Sequence, residues 1–183
     1  MLATAEVYYE DQLIGETTIA FSDDTDNLPP VLGVPANSGD VIQASTDALY
    51  YLGADGKRYV FPDQKTYLTW YSDFDNVVTL SDADLAKIPI GGNVTYRPGT
   101  KLVKITTDPR VYAVDAHGVL RWITTEEVAI GLYGSDWSSL VLDVPDPFFV
   151  NYTVGEHVQH VGDFSPTQVT LEANSINTDK ELN

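Results

Sequence analysis

The sequence predicts a strand-rich α+β fold: two copies of one β-hairpin plus short-helix repeat packed together, with a flanking N-terminal β-hairpin. Three observations predict it. The first is internal self-similarity. Asp47 to Phe61 (DALYYLGADGKRYVF) reads against Pro109 to Ile123 (PRVYAVDAHGVLRWI), with Tyr50 matching Tyr112, Leu52 matching Val114 and Gly56 matching Gly118 at one spacing of 62 residues. The second is turn chemistry: Ala54 to Gly56 and Ala116 to Gly118 each end on a glycine, which supplies the positive φ that a tight hairpin needs. The third is a helix-start signal directly after each hairpin.

Taken in order, Ala5 to Phe21 alternates as a β-hairpin, Glu6 to Tyr9 returning as Glu16 to Phe21 across Asp11-Gln12. Ser22 to Asn27 is an acidic turn, and residues 28–38, with Pro29, Pro30, Gly33 and Pro35, have the composition of a linker. Repeat 1 is expected over 39–98 and repeat 2 over 99–155. Each opens on a short strand, Val41-Ile42 and Leu102 to Ile105. Hairpin arms rich in Tyr, Val, Leu and Trp suit a half-buried pleat. With one residue of slip, Arg58-Tyr59-Val60 matches Arg121-Trp122-Ile123.

Asp63 is placed to cap a helix over Gln64 to Tyr71. Thr124 to Glu127 reads as a capping box, Thr124 the cap, ahead of a helix over Thr125 to Tyr133. Phe74 corresponds to Trp137. A second helical turn begins at Ser81, its counterpart being Asp146-Pro147-Phe148-Phe149 with proline at a first-turn position. Ile90-Gly91 and Val154-Gly155 close the two copies. Residues 156–183 are expected to hold a strand at Gln168 to Leu171 and a frayed polar end.

The 183 residues carry 27 acidic against 10 basic side chains, a formal charge of −17, which argues against nucleic acid and anionic membranes as partners. No run approaches the roughly 18 apolar residues of a membrane span. The absence of cysteine excludes disulfides, thiol catalysis and thiolate metal sites. Met1 to Gln12 lacks the basic start and apolar run of a secretory signal, and fits a native start or a cut from a longer precursor equally.

Six residues are candidates for ligand contact. Arg58-Tyr59 and Arg121-Trp122 set arginine beside an aromatic ring, a pair suited to stacking on a sugar, and Trp70 and Trp137 could add platforms. The competing reading is that these rings fill the repeats' own cores, each burial contributing about 2–3 kcal/mol. His157 and His160, with Glu156 or Asp163 as a third ligand, are weak metal candidates. So are Asp23, Asp24 and Asp26, and the pair Asp73 and Asp75, which could offer calcium oxygen ligands without matching an EF-hand. The nucleophile elbow, phosphate loop and dinucleotide fingerprint are missing, so no catalytic residue is expected.

The pattern Val/Leu-Tyr-x-Leu/Val-x-x-x-Gly-x-x-Arg-aromatic, at Leu49 to Phe61 and Val111 to Ile123, resembles the tandem repeats of uncharacterised bacterial proteins predicted to be secreted or surface-attached. Thr66 to Tyr71 with Pro89 to Gly91, and Val128 to Gly134 with Val154-Gly155, match those repeats' helix and closing segment. Val119-Leu120 departs from the pattern, which has a lysine there, as Lys57 does in the first copy. The resemblance implies an extracellular or cell-surface location and a spacer, envelope or adhesion role. The expectation is therefore a non-enzymatic structural module of a surface layer, filament or envelope protein. It would associate with itself or other surface proteins, and structural calcium would suit its acidic surface. The alternative is a carbohydrate- or cell-wall-binding module using exposed aromatics on a glycan.

Overall fold

The computed structural model describes residues 2–9, 12–20, 33–105 and 107–182. At the N-terminus, β1 (Leu2–Tyr9) and β2 (Gln12–Ala20) pair antiparallel as the hairpin the alternation predicts, Glu6 opposite Glu16, but Gln12, expected in the turn, opens β2 opposite Tyr9. The acidic turn, with Asp23, Asp24 and Asp26, lies outside the described residues, as do Phe21 and the first part of the linker.

Repeat 1 contains β3 (Val41–Gln43), β4 (Tyr50–Leu52), β5 (Arg58–Val60), α1 (Gln64–Trp70), β6 (Val77–Thr79), α2 (Asp82–Lys87) and β7 (Ile90–Asn93). Repeat 2 contains β8 (Leu102–Ile105), β9 (Tyr112–Asp115), β10 (Val119–Trp122), α3 (Glu126–Tyr133), β11 (Val141–Val144), α4 (Asp146–Phe149) and β12 (Thr153–Val154). The two sheets have the orders β6-β3-β4-β5-β7 and β11-β8-β9-β10-β12. Strand for strand the senses agree: only β4 and β9 run against their neighbours. The two halves therefore share one α+β topology.

That topology dictates where the helices go. From β5 the chain crosses to the far edge at β6, then returns to the opposite edge at β7. Two crossovers of one hand that travel in opposite directions must cover opposite faces of the sheet. Accordingly α1 supplies Tyr67 to a core with Val41, Tyr51, Tyr59 and Phe61, while α2 supplies Leu85 to a core with Ile42, Leu52, Leu80 and Ile88. In repeat 2, α3 packs Val128 and Ala129 on Leu102, Ala113 and Ile123, and α4 packs Phe148 and Phe149 beside Val103, Val114, Leu120 and Val144. The helices are too short to persist alone, and caps plus burial hold them. Asp63 accepts from the Thr66 amide at 2.7 Å and Ser81 from that of Asp84 at 3.1 Å. The tight turns use Gly56 at φ 75° and Gly118 at φ 70°.

Several expectations are corrected. Tyr50 pairs with Val60 and Tyr112 with Trp122, so the hairpins match without any slip. Arg58 thus corresponds to Leu120, and Tyr59 to Arg121. The α3 cap is Thr125, the counterpart of Asp63, whose hydroxyl accepts from the Val128 amide at 3.3 Å; Thr124 instead donates to the Val158 carbonyl. Within the described part of the expected linker, Val34 and Ala36 join the core, packing with Ile42 and Leu52, while Gly33 and Pro35 are exposed.

The C-terminal segment departs most. Gln168 to Leu171 lies in a helix, α5 (Pro166–Glu172), because Ser165 caps it and Pro166 pre-sets its first turn. The expected frayed end forms α6 (Ile176–Lys180), capped by Ser175, with Ile176 buried among Val41, Tyr51, Tyr59 and Val94. α6 bridges the two hairpin tips. Asn177 accepts from the Ala54 amide at 2.9 Å, and the Asp179 carboxylate accepts from the His117 amide at 2.9 Å. Arg97, between the repeats, donates to the Ala173 and Thr170 carbonyls, each at 3.1 Å, and its amide donates to Thr69. The Trp70 indole donates to the Thr95 carbonyl, and the Tyr96 amide to the Tyr152 hydroxyl.

Two predictions follow from this packing. Ile176→Ala should cost about 2–5 kcal/mol in chemical denaturation, whereas the change of a few tenths expected at an exposed, frayed position would contradict the docking of α6. Burial raises the Tyr51 and Tyr96 phenols from 10.0 to about 12. Their neutral forms are thus the ones the fold holds, and this stabilisation is complete below pH 10.0 and lost as pH rises through about 12. Tyrosinate absorbance followed with circular dichroism should show a late-ionising group of tyrosines that titrates together with loss of structure. Ionisation of all tyrosines near the ordinary value, with the fold intact, would contradict it.

Candidate functional site

Where each central hairpin arm gives way to its helix, the chain leaves a groove on the α1 or α3 side of the sheet. In repeat 2 the groove has a volume of about 370 Å³ and in repeat 1 about 470 Å³. Their walls are built from equivalent positions of the two repeats. Pro109, Arg110 and Val111 stand where Asp47, Ala48 and Leu49 stand in repeat 1. Trp122, Ile123 and Thr124 replace Val60, Phe61 and Pro62, and Thr125 and Glu126 replace Asp63 and Gln64. Ala129 occupies the place of Tyr67, and Trp137 that of Phe74.

The last two positions vary together in a physically sensible way. In repeat 1, Phe74 stacks on Tyr67 with centroids 4.5 Å apart and planes 8° from parallel, and Phe74 remains 44 % exposed. In repeat 2 the smaller Ala129 leaves room for the larger indole of Trp137, which is half-buried. Both grooves thereby keep one aromatic wall beside a helix start. Arg110 lies over the Trp122 ring, 6.0 Å from its centroid, and pairs with Asp108. That partnership holds the Asp108 carboxyl below its ordinary range and raises the guanidinium. In repeat 1 the Asp63 carboxylate is engaged by the Thr66 amide and hydroxyl, leaving Asp47 and Gln64 exposed on the rim.

The sequence-predicted residues are not brought together as expected. Trp122 and Trp137 both line the repeat 2 groove, Trp122 packing also on the α4-side core and Trp137 on the α3-side core. Trp70 borders a different cleft with Tyr67, Tyr71 and Asp73, its indole N–H spent on Thr95 and its ring beneath Arg97. Arg58 and Arg121 lie on opposite faces of their respective sheets, so no common arginine–aromatic pair exists. Arg58 packs over Tyr50 on the α2 side and donates to the Leu85 carbonyl, its Nε buried without a partner. Arg121, on the α3 side, donates to the Glu156 and Asp163 carbonyls and lies over Phe164. Tyr59 is core, its hydroxyl donating to Asp55 and its ring beneath Lys180.

The histidines diverge. The His157 ring stands edge-on to Trp122, 4.9 Å away, whereas His160 faces Asp163 at 3.6 Å. Asp163 accepts from the Gln159 and His160 amides, which holds its carboxyl below the usual range and folds the local turn. Asp73 likewise accepts from the Asp75 amide and the Ser72 hydroxyl. Among the described residues no group of three or more His, Asp or Glu side chains is arranged to hold a metal ion, and no helix is long and apolar enough to cross a membrane.

The groove residues beyond Trp122 and Trp137 escaped sequence reading because they come from three separated segments. The signal was present: Leu49 and Val111, Val60 and Trp122, and Phe61 and Ile123 are aromatic or apolar in both copies at the repeat spacing. No protein family, curated protein or solved structure matches the chain.

Arg121 fixes the segment that carries His157 against the Trp122 edge of the groove. Arg121→Ala should accelerate amide hydrogen exchange across residues 156–164 while leaving repeat 1 unchanged, and an unaltered exchange pattern would contradict this role.

Proposed function

We propose that the chain is a non-enzymatic structural module of a bacterial cell surface, a repeat domain or subunit of a surface layer, filament or envelope protein. The observation that supports it best is a duplicated unit fastened into one block, with α6 bonded to both hairpin tips and Asn93 to Asn151 across the halves, that presents the same apolar positions twice. Leu68 and Ile130 are 47 % and 44 % exposed at equivalent places on α1 and α3, and Ile90 and Val154 are 62 % and 57 % exposed on β7 and β12. A surface repeated within one molecule suits assembly through repeated contacts. The extracellular location rests on the motif resemblance. The net charge of −17 suits a protein kept soluble until such contacts are made.

A second reading, a carbohydrate- or cell-wall-binding module, is favoured by one observation, the twin grooves with an aromatic wall in each. Such walls, with a few polar groups at the rim, have the make-up of small-ligand sites.

Electron microscopy and light scattering of the purified chain test the leading reading. Filaments or sheets are expected, and they should be lost in the double variant Leu68→Glu, Ile130→Glu. Lone particles at every protein and calcium concentration would contradict it.

A further inference from the structure

We infer that the N-terminal hairpin is a dimerisation element, its β1 pairing antiparallel with β1 of a second copy of this chain about a twofold axis at Ala5. This rests on the self-association in the leading reading above and goes further by naming one contact, its strand and its register.

The need for a further strand follows from the sheet. β1 and β2 form a sheet of their own, and among the described residues neither strand has another hydrogen-bonded neighbour. A lone two-stranded hairpin is marginally stable in water, and additional strands are what stabilise it. Proteins guard open sheet edges with very short strands, lysine or proline. The outer edges of the repeat sheets follow that rule: β6 has three residues, β7 and β11 four, and β12 two. β1 breaks it, being eight residues long with no lysine or proline and with Glu6 as its one charge.

The occupant follows from length. None of the repeats' outer strands matches more than half of β1, whereas the hairpin of a second copy offers an edge of the same length. Two hairpins joined edge to edge make a four-stranded sheet through a contact that is isologous and closes on itself.

The strand and register follow from the ladder. β2 carries the irregularity: the pairing passes from Val7–Gly15 to Tyr8–Leu13, so Ile14 is an extra residue on β2. Such a bulge disrupts that strand's ladder and leaves β1 as the regular edge. Residues directly opposite one another share a face of the sheet, so a twofold axis must pass through a residue that faces its own copy. The choices that keep most of β1 paired are Ala5 and Glu6. Glu6 at the axis would set two like charges opposite each other, which costs stability. Ala5 at the axis puts Glu6 opposite Thr4, Val7 opposite Ala3 and Leu2 opposite Tyr8, with no charge facing another.

Sedimentation of the Leu68→Glu, Ile130→Glu variant, which lacks the apolar contacts of the leading reading, tests this: a dimer should persist. Adding Thr4→Lys places an opposite charge against Glu6 twice per dimer and should tighten it by about two- to thirty-fold. Thr4→Glu should loosen it by a similar factor. Thr18→Lys makes the same change of net charge on β2, away from the contact, and should act less than Thr4→Lys. Because the chain has no cysteine, Ala5→Cys should give a covalent dimer on mild oxidation, whereas Ala3→Cys should not. Monomers at every concentration, or equal effects of Thr4→Lys and Thr18→Lys, would overturn the inference. Cross-linking through Thr17→Cys in place of Ala5→Cys would overturn the assignment to β1. Dimers from a chain that never forms filaments or sheets would support the inference and contradict the surface-assembly reading. Filaments from a chain that fails these dimer tests would do the reverse.

Discussion

Each half of the molecule depends on one constraint: a five-stranded mixed sheet that is apolar on both faces must be covered twice, by the chain's own crossovers together with Val34 and Ala36 before β3 and the C-terminal Phe164, Val169 and Ile176. The strands are three or four residues long, or two at β12, so a single face buries little. Two crossovers in opposite directions solve the problem with two short helices, one per face. Because the second repeat meets the same constraint with the same strand order, it reproduces the cores, the capped helix starts and the groove beside α1 or α3. The groove is a by-product of that architecture, lying where a strand ends and a helix has not yet closed over the sheet.

Equivalent positions need not hold similar residues, and the exceptions are informative. Leu120 is fully buried where repeat 1 has Arg58, which satisfies only part of its guanidinium through the Leu85 carbonyl. Tyr67 and Phe74 exchange volume with Ala129 and Trp137. In each case the backbone frame is retained while the local packing is solved differently.

How much was legible in the sequence follows from these details. The duplication could be read because turn glycines and helix caps answer to backbone geometry, which both copies share. The slip proposed around Arg58 and Arg121 arose from matching chemically similar residues, whereas the ladder is fixed by Tyr50 opposite Val60 and Tyr112 opposite Trp122. Gln168 to Leu171 looked strand-like from its β-branched residues, but the Ser165-Pro166 start outweighed that local preference. The polar C-terminal end gave no hydrophobic pattern to read, because its docking relies on one buried isoleucine and on hydrogen bonds that Asn177 and Asp179 accept from the hairpin-tip amides. The grooves stayed hidden because no single segment contains one.

The central claim is that both halves carry one strand order and one unslipped hairpin register, since the grooves coincide only if they do. Nuclear Overhauser contacts between backbone protons of neighbouring strands measure this directly. The account predicts cross-strand contacts of Tyr50 with Val60 and of Tyr112 with Trp122, with β6 beside β3 and β11 beside β8. Contacts that set Tyr112 opposite Ile123, or a different strand order in the two halves, would contradict it.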